Sequence, residues 1–136
     1  MTDNTRGAAQ ILVVDDAATV RAYHRAILAD AGFDVREAGN GYEALELTLA
    51  ERFDLLVVDV NMPVMDGYTL VESVRRDALF AEVPIIMIST ESELVDSEEA
   101  YRRGANLYLV KPVAPQNLVN AANLLTGLFA GRAVTR

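Results

Sequence analysis

The sequence predicts a doubly wound α/β domain, and three observations predict it. Five short apolar runs alternate with longer stretches of helical period. Four of the runs are apolar almost without a break, as strands of a parallel sheet covered on both faces must be. The chain has 136 residues, enough for one domain that buries roughly two thirds of its unfolded surface.

Each element follows in order. The first run is 11–15. Val20, Tyr23, Ile27, Leu28 and Ala31 then recur at three- and four-residue steps, and Gly32 can stop that helix. The second run, 33–37, alternates and therefore reads as an edge strand. Gly39-Asn40-Gly41 forms a turn and helix cap, because it lacks the ending of a phosphate loop. Ala44, Leu45 and Leu49 give the second helical stripe, and 54–59 is the third strand. Leu70, Val71 and Val74 give the third stripe, and 83–89 is the fourth strand. The fourth helix covers about 93–103 and stops at Gly104. The fifth strand is 106–110. A last helix starts at Pro115, a favourable first position, and carries Leu118, Ala122, Leu125 and Phe129. Right-handed crossovers then imply an open parallel (βα)₅ sheet of order 2-1-3-4-5, the flavodoxin-like arrangement. The expected domain is 10–130, with flexible tails at 1–9 and 131–136.

Composition excludes several classes. Hydrophobic residues are 51% and charged residues 24%, which describes a globular chain. Without cysteine there is no disulfide, thiol nucleophile or cysteine-bound metal. A single histidine excludes a multi-histidine site. The net charge of −8 argues against binding nucleic acid or an anionic membrane, since phosphates repel it. No apolar run approaches the roughly 18–20 residues that span a bilayer, and the first nine residues lack a signal core. A cytoplasmic protein is expected.

In a sheet of this order, ligands bind outside the carboxyl ends of the strands, at the switch between strands one and three. Strand one ends in Asp15-Asp16 and strand three in Asp59. Strand four ends in Ser89-Thr90 and strand five in Lys111-Pro112. Any one of these could simply cap a helix. Adjacent strands lie about 4.8 Å apart, however, so the acids must converge, and strand four brings a hydroxyl beside them. Strand five is about 10 Å from strand three, a gap that a lysine can cross. Two carboxylates about 5 Å apart at an effective dielectric of about 20 repel by on the order of 3 kcal/mol. A divalent cation relieves that repulsion, and an all-oxygen donor set favours Mg²⁺, or Mn²⁺ in its place. A carboxylate beside a metal, a hydroxyl and an ammonium is equipped to attack a phosphoryl group.

These residues, read with VVDVNMPVMDG (57–67), PIIMIST (84–90) and YLVKP (108–112), resemble the receiver domain of two-component response regulators. The resemblance covers roughly 9–129, with every motif in family order and at family spacing. It implies that Asp59 is the phosphoacceptor and that Asp16, Asp59 and the backbone carbonyl of Asn61 hold Mg²⁺. Asp15 would act through a metal-bound water. Ser89 would be the switch hydroxyl, Lys111 the phosphate-pairing cation, Tyr108 the aromatic that reports phosphorylation, and Lys111-Pro112 a cis peptide. It further implies a partner histidine kinase or phosphotransfer protein. The signalling face would be formed by helix four, strand five and helix five. Tyr108 beside Lys111-Pro112 resembles the stand-alone chemotaxis type, whose downstream target would be a flagellar motor switch. A monomer is expected that catalyses only its own phosphotransfer and dephosphorylation. Thr90 departs from the family, in which Ala or Gly commonly follows the switch hydroxyl.

The same residues bear on other functions. A phosphorelay shuttle or phosphate sink would use the same chemistry. A phosphohydrolase with an aspartate nucleophile carries D-x-D-x-T, and Asn61 stands where its proton-donating acid would be. An FMN carrier of this fold would need a phosphate loop where Asp15-Asp16 lies, and paired carboxylates repel the FMN phosphate. His24 as a phosphohistidine would suit a helical bundle, so packing is its expected role. Met62, Met65 and Met87 read as packing, and Pro63 and Gly67 as shaping the loop after Asp59.

Overall fold

A computed structural model describes residues 7–129. The segments 1–6 and 130–136, which hold most of both expected tails, lie outside the described residues, as does the side chain of Phe129. Five strands, β1 (Gln10–Val14), β2 (Asp34–Ala38), β3 (Leu55–Asp59), β4 (Ile85–Ser89) and β5 (Leu107–Val110), form one parallel sheet of order β2-β1-β3-β4-β5. Helices α1 (Ala18–Asp30), α2 (Gly41–Ala50), α3 (Gly67–Arg75), α4 (Leu94–Arg103) and α5 (Pro115–Phe129) connect and follow them. The expected order and element types are those observed.

The sheet separates two cores because successive strand residues point to opposite faces. Leu12, Val14, Leu56, Val58, Ile85 and Met87 pack in one cluster with residues of α2, α3 and α4. Ile11, Val13, Leu55, Val57, Ile86 and Ile88 pack on the other side with Leu28 of α1 and with Leu118, Ala122 and Leu125 of α5. All of these strand residues are buried, which explains their unbroken apolar runs. β2 lies at one edge and shows the expected alternation. β5 lies at the other edge, between the α4 and α5 layers.

Strand bounds shift from expectation by one or two residues. β1 begins at Gln10, whose amide donates to Asp54 Oδ2 at 2.7 Å. Gly32 and Gly104 follow α1 and α4 with φ of +99° and +121°, the left-handed conformation that lets a helix stop. Asn40 caps α2, its side chain accepting from the Glu43 amide at 2.8 Å. One stripe differs. The buried face of α2 is Gly41, Ala44 and Thr48, and Leu49 is 74% exposed. Thr48 tolerates burial because its hydroxyl donates to the Leu45 carbonyl at 2.8 Å. On α1 the buried residues are His24 and Leu28, while Tyr23 is exposed.

At the amino ends of the strands, Arg75 donates to the carbonyls of Phe80, Val83 and Gly104 and to Asn106 Oδ1. This guanidinium ties α3 to the segments entering β4 and β5, opposite the end where the acids lie.

Candidate functional site

Two adjacent strand ends, those of β1 and β3, bring the acids together. Carboxylate oxygens of Asp15, Asp16 and Asp59 all lie within 4.8 Å of one another. Asp15 and Asp59 are buried, and Asp16 is exposed at the rim. Asp15 is fixed at every polar atom. Its amide donates to the Ala38 carbonyl at 3.2 Å, and Oδ1 accepts from the Ala17 amide at 2.9 Å. Oδ2 accepts from Lys111 at 3.1 Å, and its carbonyl accepts from Arg21 at 2.7 Å.

Lys111 leaves the end of β5 and spans β4, placing Nζ 2.9 Å from Asp59 Oδ1. The peptide that follows it, Lys111-Pro112, is cis. Burial acts to lower the Lys111 pKa, but its bonds to Asp59 and Asp15 outweigh this and raise it. Burial raises the Asp59 pKa; Lys111 opposes that, and the charges of Asp15 and Asp16 reinforce it. One ammonium therefore faces three carboxylates, and the site retains an excess of negative charge. Hard oxygen donors in excess of their counter-charge fit a divalent cation such as Mg²⁺.

Ser89, fully buried at the end of β4, turns Oγ toward the loops on both sides. Oγ accepts from the Glu91 amide at 3.0 Å and from Asn61 Nδ2 at 3.4 Å. Tyr108, two residues before the end of β5, donates its hydroxyl to the Glu91 carbonyl at 2.7 Å. The β4–α4 loop is thus held by Ser89 on one side and Tyr108 on the other. The loop after Asp59 is equally constrained. A Cβ at Gly67 would sit 2.3 Å from the Asp59 carbonyl oxygen, so only glycine permits this approach. Met62 and Met65 are buried in that loop and Met87 in the core.

All of the predicted site residues except Asn61's carbonyl have a located polar contact or cluster position; Asn61 itself is exposed, with its side-chain amide turned to Ser89. His24 is buried on α1 rather than offered to a partner. The sequence reading missed Arg21, whose Asp15 contact is to a main-chain carbonyl and leaves no side-chain pattern. It also missed Tyr68, which lies under the Arg103 guanidinium at 5.2 Å, on the α3–α4 boundary.

Comparison with known proteins agrees with this geometry. The response regulator receiver domain family matches residues 11–123. The chain is 42% identical over 120 residues to chemotaxis protein CheY1 of Helicobacter pylori, covering 87% of this chain and 97% of that protein. It is 39% identical over 110 residues to chemotaxis protein CheY of Pseudomonas aeruginosa, covering 80% and 89%. The crystallised chemotaxis protein CheY4 of Vibrio cholerae superposes with a TM-score of 0.84 at 37% identity, covering 88% of this chain and 99% of that one. This chain belongs to the response regulator receiver domain family and is CheY-like in sequence and fold.

Proposed function

We propose that the chain is a stand-alone response regulator phosphorylated on Asp59 by a partner histidine kinase or phosphotransfer protein. The observation that carries this reading is the buried Asp59 carboxylate, bonded to Lys111 and clustered with Asp15 and Asp16. In the reaction, an Asp59 oxygen attacks the phosphorus of a phosphohistidine. The P–N bond breaks, and its electron pair stays on the imidazole, which takes up a proton. Asp15, Asp16, Asp59 and the Asn61 carbonyl would hold Mg²⁺ (or Mn²⁺), which supplies positive charge to the transferring phosphoryl oxygens. Lys111 supplies a second positive charge to those oxygens. Ser89 donates to one of them, releasing the Glu91 amide, and Tyr108 follows as the β4–α4 loop rearranges.

The output face would be α4, β5 and α5. Large apolar side chains stand exposed on it, namely Leu94, Val95 and Tyr101 on α4, Val110 on β5 and Leu124 and Leu128 on α5. Such groups suit a protein partner. The similarity to chemotaxis proteins supports a role in chemotaxis, with a flagellar motor switch as target, in the cytoplasm. Among the described residues, no helix is long and apolar enough to cross a membrane.

Incubation with acetyl phosphate, or with phosphorylated candidate kinases from the same genome, tests this reading by mass spectrometry. The expected result is one Mg²⁺-dependent phosphoryl group, absent from Asp59→Asn. Stable phosphorylation of that variant at another residue would overturn it.

A further inference from the structure

Arg21 joins three elements at the rim of the site. It lies in the second turn of α1, its Nε donating to Glu37 Oε1 of β2 at 2.8 Å and its Nη1 to the Asp15 carbonyl at 2.7 Å. Glu37 holds the guanidinium with one oxygen and meets Arg25 Nε with the other at 3.3 Å. Glu37 is paired in register with Val13, two residues before Asp15, so the support stands beside the strand end it serves.

The Asp15 carbonyl and the Asp16 amide belong to one planar peptide. β1 ends at Val14, and the bond from Arg21 takes the place of a ladder bond to that carbonyl. Releasing it frees the peptide to turn, which changes ψ of Asp15 and φ of Asp16 together. Asp15 keeps its other anchors. Asp16 is exposed and has no such set, so its carboxylate would swing away from Asp59.

We propose that Arg21 is a positioning residue for the acid pair, fixing the Asp15–Asp16 peptide so that both carboxylates face Asp59. This rests on the reading of the acids as a Mg²⁺ site. Arg21 touches neither metal nor phosphoryl group and acts through Asp15. Lysine can replace it only in part, since one ammonium lacks the planar fork that reaches Glu37 and the carbonyl together.

Mg²⁺ titration by calorimetry tests the proposal, together with the Asp16 amide NMR shift in metal-free protein. Loss of a group that orients metal ligands commonly costs tenfold or more, so Arg21→Ala should weaken Mg²⁺ binding by about tenfold and move the Asp16 amide. Arg21→Lys should fall between it and wild type. Arg25→Ala, which loses only the second contact to Glu37, should bind as wild type does. Folded Arg21→Ala binding within about twofold of wild type, or Arg25→Ala weakening binding equally, overturns the proposal. If Arg21→Ala does not fold, a wild-type affinity and Asp16 shift in Arg21→Lys overturn it. A wild-type chain that takes up no Mg²⁺ overturns the metal reading along with it, whereas equal binding by wild type and variant overturns the Arg21 role alone.

Discussion

Lys111 reaches Asp59 across the full width of β4, with Nζ 2.9 Å from Oδ1. The same ammonium lies 3.1 Å from Asp15 Oδ2. A single cation thus balances part of a three-carboxylate cluster, and the remaining repulsion is held in place by the fold.

Asp59→Asn keeps the shape of the side chain and removes one charge. Because the folded pKa of Asp59 is raised, chiefly by burial, the ionised carboxylate costs stability at neutral pH. That cost sets in as pH rises from the ordinary value of 3.8 through the raised one. The variant is therefore expected to be more stable than wild type by about 1 kcal/mol at pH 7 without metal. The difference should close as pH falls toward 3.8. Urea unfolding followed by circular dichroism across pH measures it, since the chain has no tryptophan. A gap that stays constant with pH would contradict the assignment.

Asp16→Ala removes an exposed member of the acid cluster. Mg²⁺ affinity, read by calorimetry, is expected to fall at least about tenfold. Equal titration of both proteins would leave Asp16 with no role beyond the loop.

Val64 holds φ of +71° in the loop after Asp59 and is 88% exposed. A β-branched residue there pays about 1–2 kcal/mol in steric strain, with no packing to offset it. Val64→Asn is expected to raise stability by about 1 kcal/mol, seen as a higher urea midpoint with unchanged slope. No change, or a loss, would show the strain to be absent in solution.

The strands and their terminal polar residues were legible because parallel strands leave long apolar runs and each run here stops on a charge or hydroxyl. The stripe of α2 was not. That helix is apolar on two sides, so Leu49 satisfied the period as well as Thr48 did, and only the Thr48 bond to Leu45 distinguishes them. His24 was legible as packing but not as the centre of the buried face of α1. Arg21 was not legible because its bond at the site is to the Asp15 carbonyl, and its side-chain partner Glu37 lies on β2 with no sequence spacing to link the two.

His24 is buried on α1, and burial lowers its pKa, with Lys111 assisting and Asp15 opposing. The unfolded chain therefore binds this proton more readily than the folded one does. Stability should fall as pH drops below the ordinary value of 6.5, until the depressed folded value is reached. His24→Val removes the group, so its stability is expected to be flatter than that of wild type just below pH 6.5. Parallel curves for the two proteins in that range would show that His24 does not titrate on unfolding.

Ser89 offers the most direct test of signalling. Its Oγ accepts from the Glu91 amide at 3.0 Å and from Asn61 Nδ2 at 3.4 Å. Phosphorylation changes the charge there from −1 to about −2 and adds three acceptor oxygens. Ser89 then donates to one of them and gives up the Glu91 amide. The same residue, Glu91, holds the Tyr108 hydroxyl through its carbonyl. A shift at Ser89 therefore reaches Tyr108 through one residue, the kind of two-state element that turns a local charge into a changed surface. Ser89→Ala should still be phosphorylated on Asp59, but the response of partner binding should fall about tenfold, or about 1.4 kcal/mol. Beryllofluoride, which mimics the phosphoryl group, allows the response to be read by NMR over residues 94–111. Equal shifts in wild type and variant would show that the signal leaves the site by another route.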